Sequence, residues 1–290
     1  MLPMDNQYFV SAWIYKVIAN ADKDFARFLH SQGYTDGNKK FKFFNYSPLA
    51  LGKFRIWKEK SLLEIYTGEV TLQVSFHLQD AAEKFIIGLF NQQNFYLGDK
   101  FNGIDFTVSR IERLPDIVQQ SDGMTQRHAI TDPTIPESDD MISVHHTTKS
   151  STKNYEAKSP VVISYKTEND KYARYLSPEE QGYGDLVKQH LMQKYQTIPG
   201  AELLSENTEI EFLLKNKPKS KLITIKPYTR QQSKVRGFVY RFSLTGPEEI
   251  HQLILGAGFG EKNAQGFGWV EPGAAVGAGA AVFNCGLKGD

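Results

Sequence analysis

Apolar residues recur along this chain with two periods, and the switches between them mark out most of its elements. Val10, Trp13, Ile14, Val17 and Ile18 fall three and four apart, which predicts an amphipathic helix over residues 6–19. A second short helix should follow, with Asp22 or Asp24 near its start and Phe25, Phe28 and Leu29 on one face. Strand-like runs come next at Phe41–Tyr46, Arg55–Trp57, Leu62–Tyr66 and Glu69–Phe76. Residues 79–91 read as helix, and Asp105–Ile111 as a closing strand. The second half repeats the rhythm. Val161–Tyr165 reads as strand. Pro178–Tyr195 reads as helix, with Leu186, His190, Leu191 and Lys194 spaced at three to four. Strands are expected at Glu209–Leu214, Leu222–Pro227 and Gly237–Leu244. A helix is expected at Glu248–Leu255, capped by Thr245 or the Gly246-Pro247 turn, and a last short strand beginning at Gly268–Val270. Two units of this kind predict an α+β protein with two β-α-β-β-α-β folds in tandem.

Composition sets bounds. With 290 residues the chain holds about two domains, and 40% hydrophobic content with 12% aromatics excludes wholesale disorder. No apolar run approaches the roughly 20 residues that span a bilayer, and the start lacks the pattern of a secretory signal, so no membrane association is expected. A single cysteine, Cys285, leaves no partner for an intramolecular disulfide. The setting these features imply is the cytoplasm.

The net charge of +1 hides a strong segregation. From Pro115 to Ile142 there are six acids and one basic side chain, Arg127, among Gly, Pro, Ser and Thr, a composition that reads as a linker. From Phe212 to Pro247 there are nine basic residues and no acid: Lys215, Lys217, Lys219, Lys221, Lys226, Arg230, Lys234, Arg236 and Arg241. A charge run is ordinarily a solvated face, but nine against none points to an anionic partner. His145-His146 has no third ligand at a recognisable spacing, so no metal or other cofactor is expected.

The densest glycine cluster runs from Gly256 through Gly258 and Gly260 to Gly266 and Gly268, with Lys262, Asn263 and Gln265 inside it. Such a turn can aim several backbone N–H groups at one anion, or simply serve as a tight helix-to-strand connection. It is not a Walker loop, for no Gly-Lys-Ser/Thr follows. It is not a dinucleotide fingerprint either, because it follows a helix and lacks the third spaced glycine.

That segment, Gly258-x-Gly260-x-x-x-x-x-Gly266-x-Gly268, resembles the C-terminal glycine-rich motif of the CRISPR-associated repeat-processing endoribonucleases, the Cas-six family. NQYFVSAWIYKVI, FLHSQGY, FKFFNYSPL, SPVVI and FVYRFSLTGPEEIHQLILGAGFG resemble the family in the same order, so the similarity covers most of residues 4–271. The resemblance implies tandem ferredoxin-like (RRM-like) domains that bind CRISPR precursor RNA. It implies metal-independent cutting within each repeat by attack of a ribose 2′-hydroxyl, leaving 2′,3′-cyclic phosphate and 5′-hydroxyl ends. It also admits other CRISPR effector subunits and a second copy of the chain as partners. In family members with a Tyr-His-Lys site, the matching patterns fall here on Tyr15, His30 and Lys42, with Lys39 and Lys40 as adjacent alternatives.

The helical stripes agree for two of these. Tyr15 and His30 lie off the centre of their apolar faces and should look away from the core. Histidine serves as acid or base near neutrality, whereas tyrosine, with a reference value of about 10, is a poor base. On this reading the basic run follows RNA phosphates, Tyr228 stacks an unpaired base and Arg230 or Arg236 reads a base edge or stem, while Phe238 reads first as strand packing. A non-catalytic repeat-binding subunit would share the loop and the basic run. A nucleotide-using metabolic enzyme is disfavoured by the missing Walker lysine.

The expected organisation is therefore a first ferredoxin-like domain over 1–115, an acidic connector over 116–155 and a second domain over 156–272. A Gly/Ala linker and tail follow over 273–290. Met1-Leu2-Pro3 leaves no room for the first strand such a domain needs, so Val282–Leu287 is a candidate to supply it, by folding back or by pairing with a neighbouring molecule.

Overall fold

In the first half, helix geometry follows the apolar stripe closely. The computed structural model describes residues 1–37, 39–114, 150–167, 170–273 and, in its backbone, 281–287. The elements of the first half are β1 (Leu2–Pro3), α1 (Gln7–Ala21), α2 (Lys23–Ser31), β2 (Tyr34–Asp36), β3 (Lys39–Phe41) and β4 (Phe44–Tyr46). β5 (Phe54–Trp57), β6 (Leu62–Ile65), β7 (Glu69–Phe76), α3 (Gln79–Asn91), β8 (Asn94–Gly98) and β9 (Gly103–Arg113) complete it. α1 buries Val10, Trp13, Ile14, Val17 and Ile18, the residues of its stripe. α2 starts where the Asp22 carboxylate accepts the Phe25 N–H at 2.9 Å, satisfying one of the helix's free donors.

The second half contains β10 (Ser151–Ala157), β11 (Ser164–Tyr165), β12 (Arg174–Tyr175), α4 (Tyr183–Gln196) and β13 (Glu211–Leu214). It continues with β14 (Lys219–Ile225), β15 (Ser233–Val239), β16 (Arg241–Gly246), α5 (Glu248–Ala257) and β17 (Val270–Pro272). The last element among the described residues is β18 (Ala281–Leu287).

Both halves share one sheet logic. In the second, the order is β13-β16-β10-β17, so the unit's first strand lies between its third and fourth, all antiparallel. That is the β-α-β-β-α-β arrangement. In the first, the order is β4-β7-β18-β9-β8, and the place of the first strand is held by β18, antiparallel to both neighbours. Leu2–Pro3 is itself a strand, but it pairs with Leu62–Leu63 in a separate three-stranded sheet and leaves that place open.

Several expectations are corrected. Phe41–Tyr46 is two strands rather than one, because Phe43 adopts φ 54° and turns the chain between them. Val161–Tyr165 is reduced to a bridge at Val161 and the two-residue β11, and the second unit opens instead with Ser151–Ala157, which begins inside the stretch read as connector and runs two residues past its end. Leu222–Pro227 starts earlier and Gly237–Leu244 divides at Tyr240 into β15 and β16. The acidic stretch 115–142 and His145-His146 lie outside the described residues.

The two cores meet at the segment 39–46. Phe44 and Tyr46 belong to the first core, with α1 and β7. Phe41 and Phe43 are buried in the second, with Val187, Leu191 and Phe259. A six-residue stretch, 41–46, thus stitches both units together, and it carries Lys42.

Candidate functional site

α1 and α2 meet so that Tyr15 and His30 stand edge to face, their ring centroids 5.1 Å apart. The Tyr15 ring also meets Phe44 edge to face at 5.5 Å, so it is half-buried rather than turned wholly outward as its helical position suggests. That burial raises its phenol further above the ordinary tyrosine value, which keeps it protonated and makes it a donor rather than a base. His30 is exposed at the end of α2, as its position on the helix predicts.

Lys42 lies between Phe41 and Phe43, and the burial of both rings in the second core fixes where its side chain leaves the backbone. Its ammonium donates to the His30 carbonyl at 3.1 Å. Burial, with Lys40 nearby as a lesser cause, brings it down to about 8. Gly33 makes the space. It ends α2 at φ +64°, its N–H donating to the Phe28 carbonyl at 2.8 Å, and a Cβ there would stand 2.8 Å from the Lys42 Nζ and 2.5 Å from the Phe41 oxygen. The neighbouring lysines are engaged elsewhere: Lys39 donates to Gln193 Oε1 at 2.7 Å and Lys40 to the Ser31 carbonyl at 2.8 Å.

The opposite wall comes from the second unit, and sequence reasoning missed most of it. Lys194 is 1% exposed, and its ammonium donates to Ala257 O at 2.8 Å, Gly258 O at 2.7 Å and Asn263 Oδ1 at 2.9 Å. Burial draws it down to about 7. His190, one turn earlier, donates from Nε2 to Gly260 O at 2.9 Å, and burial takes it down to about 3, so it is a neutral imidazole. The signal was present in the helical spacing, because both residues sit on the apolar stripe of α4. A polar group there must find buried partners.

Those partners explain the glycine motif. Gly258, Gly260, Gly266 and Gly268 all have positive φ, and a Cβ on Gly268 would come within 1.9 Å of the Phe259 oxygen. The backbone N–H groups of Phe259, Glu261, Gly266 and Gly268 donate to protein carbonyls rather than facing outward. Ser11 Oγ on α1 donates to Ala264 O at 2.6 Å, so the loop also buckles the two units together. Lys262, held at φ 60°, is the exposed part of it.

Between these walls lies a cleft of about 940 Å³. Of the residues singled out from sequence, it brings together Tyr15, His30, Lys42, Lys226, Gly260, Lys262, Asn263 and Gln265. Seven lysines line it against one carboxylate, Glu261, which is held by the Ser164 N–H and hydroxyl. Gly256, Gly258, Gly266 and Gly268 lie behind its lining. Lys215, Lys217, Lys219, Lys221, Tyr228, Arg230, Lys234 and Arg236 lie outside it. The basic run does not form one face. In the β14–β15 hairpin, Lys219 and Lys221 share a face with Val235, whereas Lys234 and Arg236 lie on the other. Phe238 is buried in the second core, where it packs and is not free to stack a base.

Comparison with known proteins fits this geometry. The chain matches the family model of CRISPR-associated protein Cas6, N-terminal, over residues 1–112, and that of CRISPR associated protein Cas6, C-terminal, over residues 143–272. It is 26% identical over 272 residues to CRISPR-associated endoribonuclease Cas6 1 of Methanocaldococcus jannaschii, covering 93% of this chain and 87% of that protein. Among solved structures, the product of a Cas6-related gene from Pyrococcus furiosus superposes with a TM-score of 0.67 at 20% identity, covering 95% of this chain and 93% of its own. An RAMP protein binding different RNA substrates superposes with a TM-score of 0.66 at 20% identity, covering 94% of each chain. These neighbours share the tandem α+β fold.

Proposed function

The chain belongs to the Cas6 family, and from that premise we propose that it is an endoribonuclease that cuts CRISPR precursor RNA within its repeats. The observation that carries the reading is the cleft itself. Tyr15, His30 and Lys42 line one wall of it, in a site crowded with lysines. A polyanion enters such a site favourably.

The proposed reaction is attack of a ribose 2′-hydroxyl on the adjacent phosphate. The O2′–P bond forms and the P–O5′ bond breaks, giving a 2′,3′-cyclic phosphate and a 5′-hydroxyl. His30 takes the proton of the 2′-hydroxyl, the work for which imidazole suits neutral pH. Tyr15, kept neutral by burial, donates a hydrogen bond toward the leaving 5′-oxygen, which takes its proton from water as it departs, while His30 returns to solvent the proton it took. Lys42 sets its positive charge against the extra negative charge of the phosphorane-like transition state. The nucleophile comes from the RNA and the charge from Lys42, so the proposed chemistry runs without a metal.

The test is cleavage of labelled repeat RNA in EDTA by the unmodified protein and by His30→Ala. Cleavage should persist in EDTA and fall by about 10²- to 10⁴-fold in the variant, with binding retained. A 2′-deoxy nucleotide at the cut site should block the reaction, because the nucleophile is gone. Tight binding without cleavage by the unmodified protein would sink the proposal and leave a repeat-holding subunit of the same fold.

A further inference from the structure

Two large aromatic side chains, one from each unit, stand in solvent beside each other. Phe101 in the β8–β9 turn is 68% exposed, and Tyr228 in the β14–β15 turn is 70% exposed. Their ring centroids are 6.1 Å apart and their planes 86° from parallel. Neither belongs to a hydrophobic core among the described residues. An aromatic ring gains most from burial, so a pair left bare on two turns calls for something to cover it.

Both turns are braced to hold the rings out. Asp99 accepts the N–H groups of Phe101 and Asn102, each at 2.7 Å, while the Tyr96 hydroxyl donates to the Asp99 carbonyl at 2.7 Å. Across from it, Tyr228 adopts φ 61° and its N–H donates to Gln232 Oε1 at 2.9 Å, while Lys226 donates through its ammonium to Gln231. Cations surround the pair. The Lys100 ammonium lies 4.6 Å from the centre of the Phe101 ring, and Arg230 is exposed two residues beyond Tyr228. The only carboxylate in the two turns, Asp99, is taken up by backbone N–H groups. Lys226, two residues before Tyr228, lines the cleft.

We infer that Phe101 and Tyr228 form a stacking corner for one unpaired base of an RNA strand that leaves the cleft past Lys226. Two ring planes near a right angle let a base lie flat on one ring and abut the other with its edge. Stacking of this kind accepts any base, because every base has a π-face. The lysines and Arg230 serve the flanking phosphates. The inference rests on the RNA-processing function proposed above and adds to it a second point of grip, outside the reacting residues and contributed by both units.

The test replaces single nucleotides of the repeat RNA by 2-aminopurine, whose fluorescence falls on stacking, and compares the unmodified protein with Phe101→Leu, Tyr228→Leu and Tyr228→Phe. At one unpaired position the signal should be quenched on binding, with quenching lost in both leucine variants and kept in Tyr228→Phe. Each leucine variant should weaken binding on the order of 10-fold, with the salt dependence unchanged because no phosphate contact is removed. Leucine variants that quench and bind as the unmodified protein does would overturn the corner, even if cleavage proceeds. A second arm uses a short unpaired oligoribonucleotide of unrelated sequence carrying 2-aminopurine. Quenching there that needs Phe101 and Tyr228, in a protein that cuts no repeat, keeps the corner and overturns the processing function. Absence of binding to either RNA overturns both.

Discussion

Raising the pH should disarm the site through one side chain, Lys42. An ordinary lysine, at about 10.4, stays almost fully charged to about pH 9. Lys42 is brought down to about 8 by its burial between two buried rings and by Lys40 beside it. It is therefore about nine-tenths charged at pH 7, half charged at pH 8 and about one-tenth charged at pH 9. If its charge stabilises the transition state, kcat/KM should fall about eight- to tenfold between pH 7 and pH 9. kcat/KM reports the free enzyme, so this limb belongs to Lys42 before RNA raises its affinity for the proton. The assay is cleavage of labelled repeat RNA at sub-saturating concentration in EDTA, from about pH 6 to pH 10. Lys42→Arg keeps its charge across that range and should flatten the limb, whatever it does to the plateau. Lys42→Ala should lose about 10²-fold at pH 7 and show no such limb. Tyr15 cannot supply this limb, because burial moves its phenol upward, away from this range. A limb of unchanged midpoint in Lys42→Arg, or a flat profile to about pH 10 in the unmodified protein, would refute the reasoning.

Three further outcomes are expected. Tyr15→Phe keeps the ring contacts with His30 and Phe44 while removing the hydroxyl, so cleavage should fall about 10²-fold with the urea midpoint unchanged. Gly33→Ala puts a Cβ at φ +64° against Phe41 O and the Lys42 ammonium, and should cost about 2 kcal/mol in urea unfolding together with a marked loss of cleavage. Lys194→Met removes the donor that Ala257 O, Gly258 O and Asn263 Oδ1 share inside the protein, and should cost about 3 kcal/mol by the same measurement. An effect under about 1 kcal/mol would count against its bracing of the glycine loop.

How much of this was legible follows from how local the cause is. α1, α2, β7 and α3 are set by periodicity within their own segments; the bounds of α1, β7 and α3 and the start of α2 came within about two residues. β10 escaped notice because only Tyr155 and Ala157 of its seven residues are buried, too little alternation to mark a strand that is nonetheless inside its sheet. The break at Phe43 was hidden for a different reason. Two phenylalanines two apart look like one strand, yet Phe41 and Phe43 leave the first core for the second. Tyr15 and His30 could be singled out from helix faces and family motifs. Of the far wall, Lys226 and the glycine-loop residues Gly260, Lys262, Asn263 and Gln265 were singled out as well, but for Lys194 and His190 the helical spacing showed only polar groups on an apolar stripe, and their partners come into view only when α4 meets the glycine loop. The basic run was conspicuous in the sequence, yet of its nine residues only Lys226 reaches the cleft.

β18 gives the molecule an unusual order of assembly. The sheet of the first unit has β7 and β9 on either side of a strand found some 170 residues beyond β9. During synthesis, α1, α2 and α3 can collapse early, but β7 and β9 must wait with bare edges while the whole second unit emerges and folds. The second unit carries its own first strand, β10, and can close at once. The half of the protein made first is thus the half completed last, and its two waiting edges are where a chaperone, or a neighbouring chain's β18, would find a place.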